Sequence, residues 1–263
     1  MTPTVVVVFA LAVVAVLAIA LYRQWRTTAS LRAQLEAAAI DLQQLQQTCS
    51  RLAPAGVVQR LIADGGNAAD GTSAERKVVT ALFADLVGYT ALSERLEPPV
   101  LARILNGYFQ RMSDAIHEHR GHVSTFFGDG ILAYFGALQP NPWQCNDAVR
   151  AALAMQAAIR EYSAELAKEG LPPLALGIGI HRGPGLAGLV GSRERMEYAF
   201  VGLTVNLAAR VQSLTRVHKA DILVTEALRT ELDSRFLLTP MPPEMVKGIA
   251  EPVVTYAVRD GSL

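Results

Sequence analysis

Cysteine is almost missing from this chain. Cys49 and Cys145 are the two thiols in 263 residues, too few and too far apart for a disulfide framework, and they fit a reducing compartment. The five histidines show no metal-ligand spacing, which argues against a zinc site of the Cys/His type. Neither sign of charge is in excess: 24 basic residues balance 24 acidic ones. That balance leaves no electrostatic footprint for nucleic acid or for an acidic partner. The length suits one to two domains with a sizeable core.

What is present is unevenly distributed. The run "VVVVFALAVVAVLAIALY", Val5 to Tyr22, is uncharged and as a helix would extend about 27 Å, close to the roughly 30 Å hydrocarbon layer of a membrane. It predicts a single-pass anchor over residues 1–22. A cleaved signal peptide is the rival, with "AIA" at Ala18–Ala20 as its cleavage site, but the positive charges follow the apolar run instead of preceding it. Arg23, Arg26 and Arg32 then place the remainder on the cytoplasmic side of a cell membrane by the positive-inside rule. Thr28, Leu35, Leu42 and Cys49 recur every seven residues, with Leu31, Ala38, Leu45 and Leu52 three further on. This heptad pattern predicts a parallel two-stranded coiled coil within 23–56, against the alternative of a lone amphipathic helix. The segment 57–74, with "ADGGNAADGTSAE", reads as a linker, and 75–263 as the compact domain.

Within that domain "KVVTALFADL" is an apolar β-run. Leu101, Ile104, Leu105, Tyr108, Phe109, Met112 and Ile116 mark one face of a helix opened by Pro98 and Pro99. A hairpin at "GHVSTFFGDGILAYFG" follows, then a helix from about Asp147 to Lys168, the strand "LALGIGIH", a Gly-rich hairpin, the short helix "TVNLAARVQSL", and strands near Ile222 and Val253. Hairpins mixed with crossovers predict an α+β fold, one sheet packed against helices.

The chemistry concentrates in two acids. Asp85 ends the first strand, and Asp129 sits between glycines at the hairpin turn. Each has an ordinary reading, Asp85 as a helix N-cap and "GDG" as a tight turn. If the hairpin lies beside the first strand, the two carboxylates meet at one sheet edge. With no basic residue in either motif, they would repel unless a divalent cation joined them. Oxygen ligands favour Mg²⁺ or Mn²⁺, in pairs where displacement at phosphorus is the chemistry. Gly88, Tyr89 and Thr90 offer backbone N–H groups to phosphate at a helix start. Asn206 and Arg210, four apart, share one helical face, suited to a ribose or phosphate oxygen and a phosphate respectively. An exposed polar pair on a helix is also commonplace. Lys247 stands in a loop.

Taken together, "FADLVGYTALSERL", "GHVSTFFGDGILAYFG", "LGIGIHRGPGLAGLVGSRERMEY" and "VGLTVNLAAR" resemble, in order, the signatures of the class III nucleotidyl cyclase catalytic domain, of the bacterial adenylate cyclase type. "LAPAGVVQRLI" resembles the segment that often precedes such domains, so the likeness covers roughly Leu52 to Val258. It implies a ferredoxin-like, palm-type core working as a head-to-tail homodimer with active sites shared between chains. It further implies Asp85 and Asp129 as ligands of two Mg²⁺ or Mn²⁺ ions, with Asn206 and Arg210 of the partner chain orienting the ribose and stabilising the transition state. Lys247 would contact the triphosphate. The implied reaction converts a purine nucleoside triphosphate, ATP by preference, to the 3′,5′-cyclic nucleotide and pyrophosphate, as a signalling enzyme.

The family pattern breaks where the base is read. The adenylyl type carries a lysine four residues before the hairpin aspartate and an aspartate or threonine seven before the helix asparagine; here those positions hold Thr125 and Ala199. They do not match the Glu and Cys combination of guanylyl cyclases either, and Leu203 replaces a common acidic residue. A catalytically weak or silent cyclase-like module that binds nucleotide or regulates a partner cyclase is the alternative. A diguanylate cyclase would show "GGDEF" where this hairpin reads "FFGDGI".

Overall fold

In a computed structural model of the chain, the described residues are 23–26, 74–191 and 196–259. The chain divides into two compact units, Met1–Ala53 and Pro54–Leu263; in the first, residues 23–26 are helical. The second begins its regular structure with β1 (Glu75–Leu86), followed by α1 (Tyr89–Arg95), α2 (Pro98–Glu118), the hairpin β2 (His122–Phe127) and β3 (Gly130–Phe135), α3 (Gln144–Lys168) and β4 (Leu176–Gly191). Next come β5 (Met196–Val201), α4 (Leu203–His218), β6 (Ile222–Thr225), the one-turn α5 (Glu226–Arg229), β7 (Leu237–Pro240) and β8 (Thr255–Arg259). The strands form one sheet in the order β2-β3-β1-β4-β6-β8-β7, with β5 paired to β4. Its first four strands have the split βαβ order of a ferredoxin-like core. The expected α+β class is the one observed.

Parity along β1 decides which residues serve the core and which the site, because alternate side chains of a strand point to opposite faces. Leu82, Ala84 and Leu86 join the core under α2 and α3, together with Ile104, Tyr108, Met112 and Ile116 from α2. Val79 and Ala81 belong to a second cluster on the other face, with Phe200 from β5 and Ala208 from α4. Asp85 shares that second parity, so it opens toward the α4 side.

The alternation in "LGIGIHRG" has the same origin. Ile178 and Ile180 are fully buried in the α2/α3 core, while the intervening glycines lie under α4. A Cβ on Gly177 would stand 2.5 Å from Thr215 Oγ1, one on Gly183 2.5 Å from Thr204 Oγ1, and one on Gly179 2.6 Å from the carbonyl of Ala208, with the Gln212 backbone closer still. The glycines are the groove into which α4 fits. The expected Gly-rich hairpin is the antiparallel pair β4–β5, and its Gly183, Gly185 and Gly188 lie within β4, where added Cβ atoms would meet Thr204, the Phe200 ring and Ala74. Helix α4 also extends about one turn beyond the predicted segment. Strand β7 was not anticipated, being an edge strand of four residues without an alternating pattern.

Among the described residues no helix is long and apolar enough to cross a membrane. The two longest, α2 and α3, carry charges along their length, such as Arg103, Arg111 and Asp114 or Arg150, Arg160 and Glu165, and a span needs about 20 mostly apolar residues. The expected single-pass membrane localisation is accordingly withdrawn. The run Val5–Tyr22 on which it rested lies outside the described residues, as do the heptad positions from Thr28 to Leu52 and linker residues 57–73.

Gly179→Ala should lower unfolding free energy by about 1–3 kcal/mol, the usual cost of overpacking against groups that cannot give way. Denaturant titration of the full chain measures it.

Candidate active site

The tight turn between β2 and β3 determines the position of Asp129. Gly128 takes φ 61°, a left-handed conformation that glycine reaches without strain, and the hairpin lies antiparallel to β1 with Ala84 opposite Ile131. The Asp129 Oδ2 atom accepts a hydrogen bond from the Leu86 backbone N–H at 3.1 Å. Asp129 thus stands beside Asp85, close enough for the two carboxyls to perturb each other. Burial pushes the Asp85 carboxyl up to about 6, reinforced by the neighbouring Asp129 carboxyl, with Arg216 pulling the other way.

Arg216 was not foreseen. Its Nη2 donates to Asp85 Oδ2 at 2.8 Å, supplying the base that both acid motifs lack. The contact exists because Asp85 is paired in register with Gly177, the glycine that admits Thr215 and the last turn of α4. Beneath the pair lies Tyr108, wholly buried, its hydroxyl without a hydrogen-bond partner. Burial raises its phenol well above the ordinary range, and the charges of Asp129 and Asp85 add to this.

The ordinary reading of Asp85 as a helix cap is excluded, since Gly88 occupies the N-cap of α1 at φ 77° and no side chain caps that helix. Gly88 and Thr90 are exposed and Tyr89 half-buried, immediately after Asp85 in the chain. Phe126 and Phe127 are both exposed, flanking the turn on the other side. Phe127 stacks against Phe83 at 6.1 Å.

The other expected site residues do not converge on the acids within one chain. Thr204, Ala208, Val211, Gln212 and Thr215 form the buried face of α4. At 100° per residue, Asn206 and Arg210 lie on the opposite side of the helix, with roughly 120° between Arg210 and Arg216. Both are exposed. Thr125 lies on the edge strand β2, and Ala199 on β5, opposite Gly188 of β4; β3, β1 and β4 stand between them. Lys247 is exposed in the connection from β7 to β8, on the far side of the sheet from β2. Two cavities, of about 160 and 230 Å³, are lined by Trp143, Arg182, Glu231, Arg150 and their neighbours and include none of these residues. Asp85 and Asp129 are each partly buried.

Among the described residues there is no group of three or more His, Cys, Asp or Glu placed to hold a metal. Two converging carboxylates nevertheless match the donor set of Mg²⁺, which commonly takes one or two carboxylates and fills its other positions with water and substrate phosphate.

Comparison with known proteins identifies the domain. An adenylate cyclase of Anabaena cylindrica is 35% identical over 194 residues, covering 71% of this chain and 38% of that protein. Adenylate cyclase 1 of Rhizobium meliloti is 29% identical over 188 residues, covering 72% and 28%. The chain therefore spans about a third of the length of these relatives. Among solved structures, the guanylyl cyclase Cya2 superposes with a TM-score of 0.66 at 35% identity, covering 70% of this chain and 93% of that one. The adenylyl cyclase CyaB from P. aeruginosa gives 0.67 at 29%, covering 72% and 96%. The adenylate and guanylate cyclase catalytic domain family matches residues 72–260, the whole sheet with its helices, and by that match this chain belongs to it.

Proposed function

We propose that the chain is a nucleotidyl cyclase that converts ATP to 3′,5′-cyclic AMP and pyrophosphate as a head-to-tail homodimer. One observation carries the reading: α4 sets Arg216 on the acid pair of its own chain while turning Asn206 and Arg210 outward. A complete set of groups then requires a second copy. The start of α4 and the β4–β5 hairpin expose Leu186, Val190, Val201 and Leu203, an apolar surface suited to that contact. The heptads of residues 28–52 would raise the local concentration of the partner domain.

In the assembled site the ribose 3′-oxygen attacks the α-phosphorus, forming the O3′–P bond as the bond from the α-phosphorus to the bridging oxygen breaks, pyrophosphate leaves with that oxygen, and the hydroxyl proton passes to solvent water. Asp85 and Asp129 would hold Mg²⁺ or Mn²⁺, two ions by the resemblance, which when bound supply Lewis acidity toward the attacking and leaving oxygens. Asn206 of the second copy orients the ribose. Arg210 faces the charge that develops on the α-phosphate, in a fork geometry suited to phosphate oxygens. Backbone N–H groups of Gly88, Tyr89 and Thr90, with Lys247, serve the triphosphate.

Thr125 and Ala199 favour the second reading, a module of weak or no activity. Thr125 offers one hydroxyl and Ala199 no hydrogen-bonding group, so charged readout of the base is missing. Purified full chain with Mn²⁺ and each nucleoside triphosphate in turn, scored for cyclic product and pyrophosphate, separates the two. Product from ATP supports the cyclase; none from any nucleotide supports the module.

Three outcomes follow from the cyclase reading. Asp85→Ala and Arg210→Ala should each abolish product formation, and mixing the two inactive chains should restore part of it, because one site of the mixed dimer regains a full set. Heterodimers without activity would refute the shared site.

The acid pair gives a pH signature. With its folded value near 6 and an unfolded value near the ordinary 3.8, Asp85 takes up a proton on folding between about pH 4 and 6. The metal-free protein should lose stability as pH rises through that window. Asp85→Asn removes this loss, so above pH 6 it should melt higher than wild type in EDTA, and Mn²⁺ should stabilise wild type alone. A wild-type minus variant difference that does not change with pH would contradict this.

For the base, Thr125→Lys together with Ala199→Asp should sharpen preference for ATP over GTP by about 10-fold for each 1.4 kcal/mol of discrimination gained. Thr125→Lys alone should do less, since it leaves a desolvated lysine unpaired. Measured kcat/KM ratios decide, and strong ATP selectivity in the wild type would show that other residues read the base.

A further inference from the structure

We infer that Arg216 is a resident counter-ion with which a divalent cation competes for Asp85, and that it thereby sets the cation affinity of the site. The inference rests on the reading of Asp85 and Asp129 as cation ligands. The Arg216 guanidinium donates to Asp85 Oδ2 at 2.8 Å, on the carboxylate that a cation would share with Asp129. A divalent cation on that carboxylate is repelled by the positive charge beside it, so each weakens the hold of the other on Asp85. Among the described residues no arginine or lysine competes at Asp129, whose Oδ2 accepts from the neutral Leu86 N–H.

The way Arg216 is mounted suits displacement. Its neighbour Thr215 is buried against Gly177, with its hydroxyl donating to the Gln212 carbonyl at 2.6 Å, and Gln212 Nε2 donates to the Gly177 carbonyl at 3.3 Å. The root of Arg216 is therefore fixed. Its side chain is 55% exposed against 24% for Asp85, so the tip can leave for solvent while the fold stays as it is. In the metal-free protein the guanidinium offsets part of the repulsion between the two carboxyls. The loaded site has no use for it. A cation arriving alone works against this ion pair, whereas one arriving with a polyanionic nucleotide brings its own compensating charge, so the ion pair favours loading together with substrate.

The test is Mn²⁺ binding to the full chain without nucleotide, followed by the electron paramagnetic resonance signal of free Mn²⁺. Arg216→Gln should bind Mn²⁺ roughly tenfold more tightly than wild type, equivalent to about 1.4 kcal/mol. Arg216→Lys, which keeps the charge, should stay within about threefold of wild type on the same reasoning. Arg216→Met provides a second charge-free variant should the glutamine protein fail to fold. Unchanged or weaker Mn²⁺ binding in the charge-free variants overturns the inference, as does a lysine variant that tightens as much as they do. Asp129→Asn should abolish binding in every background. Binding that survives Asp129→Asn would instead refute the cation-ligand reading, a failure distinct from that of Arg216.

Discussion

The close seating of α4 on the glycine row of β4 is the constraint from which the rest of the site follows. Gly177, Gly179 and Gly183 leave no Cβ on that face, and the backbone and small side chains of Ala208, Gln212, Thr215 and Thr204 occupy the space. Interiors are packed at near-crystalline density, so this contact permits little freedom in the rotation of α4. Once that rotation is set, Arg216 must meet Asp85 and Arg210 must face away.

The acid pair has a separate origin and receives its arginine through that contact. Asp85 and Asp129 are forced together by the β1–β3 register and the turn at Gly128, and two carboxyls at that range cannot both be ionised without compensation. In the folded chain the Asp85 carboxyl is raised to about 6, and the Arg216 guanidinium offsets part of the repulsion. What remains of the negative potential suits a divalent cation. The arrangement also has a thermodynamic consequence: the groups arranged for chemistry detract from the stability of the metal-free fold, as sites tuned for function commonly do.

In the proposed dimer, the acid pair of one copy and the outward Asn206/Arg210 pair of the other are the two halves of one site. The family match accounts for the common plan, since it covers residues 72–260, while Thr125 and Ala199 mark where this chain departs from the plan. Relatives of similar likeness carry adenylate and guanylyl cyclase names alike, which is consistent with base selection residing in a few replaceable side chains and not in the fold.

Much of this was legible in the sequence because it is local. The α2 face from Ile104 to Ile116, the β-run ending in Asp85, and the turn at Gly128–Asp129 are each decided by periodicity or by the permissive φ of glycine. The shared face of Asn206 and Arg210 is likewise simple helical arithmetic. Long-range pairing was not legible. Arg216 lies 131 residues from Asp85, and nothing local to either predicts their meeting. In the sequence the glycines of β4 read as parts of a strand and a hairpin with no role of their own, since a glycine read alone does not tell whether it frees the backbone or makes room for another element. Only the folded sheet, by laying Gly177 opposite Asp85 and α4 over both, decided that these glycines make room, and so gave the acid pair its arginine.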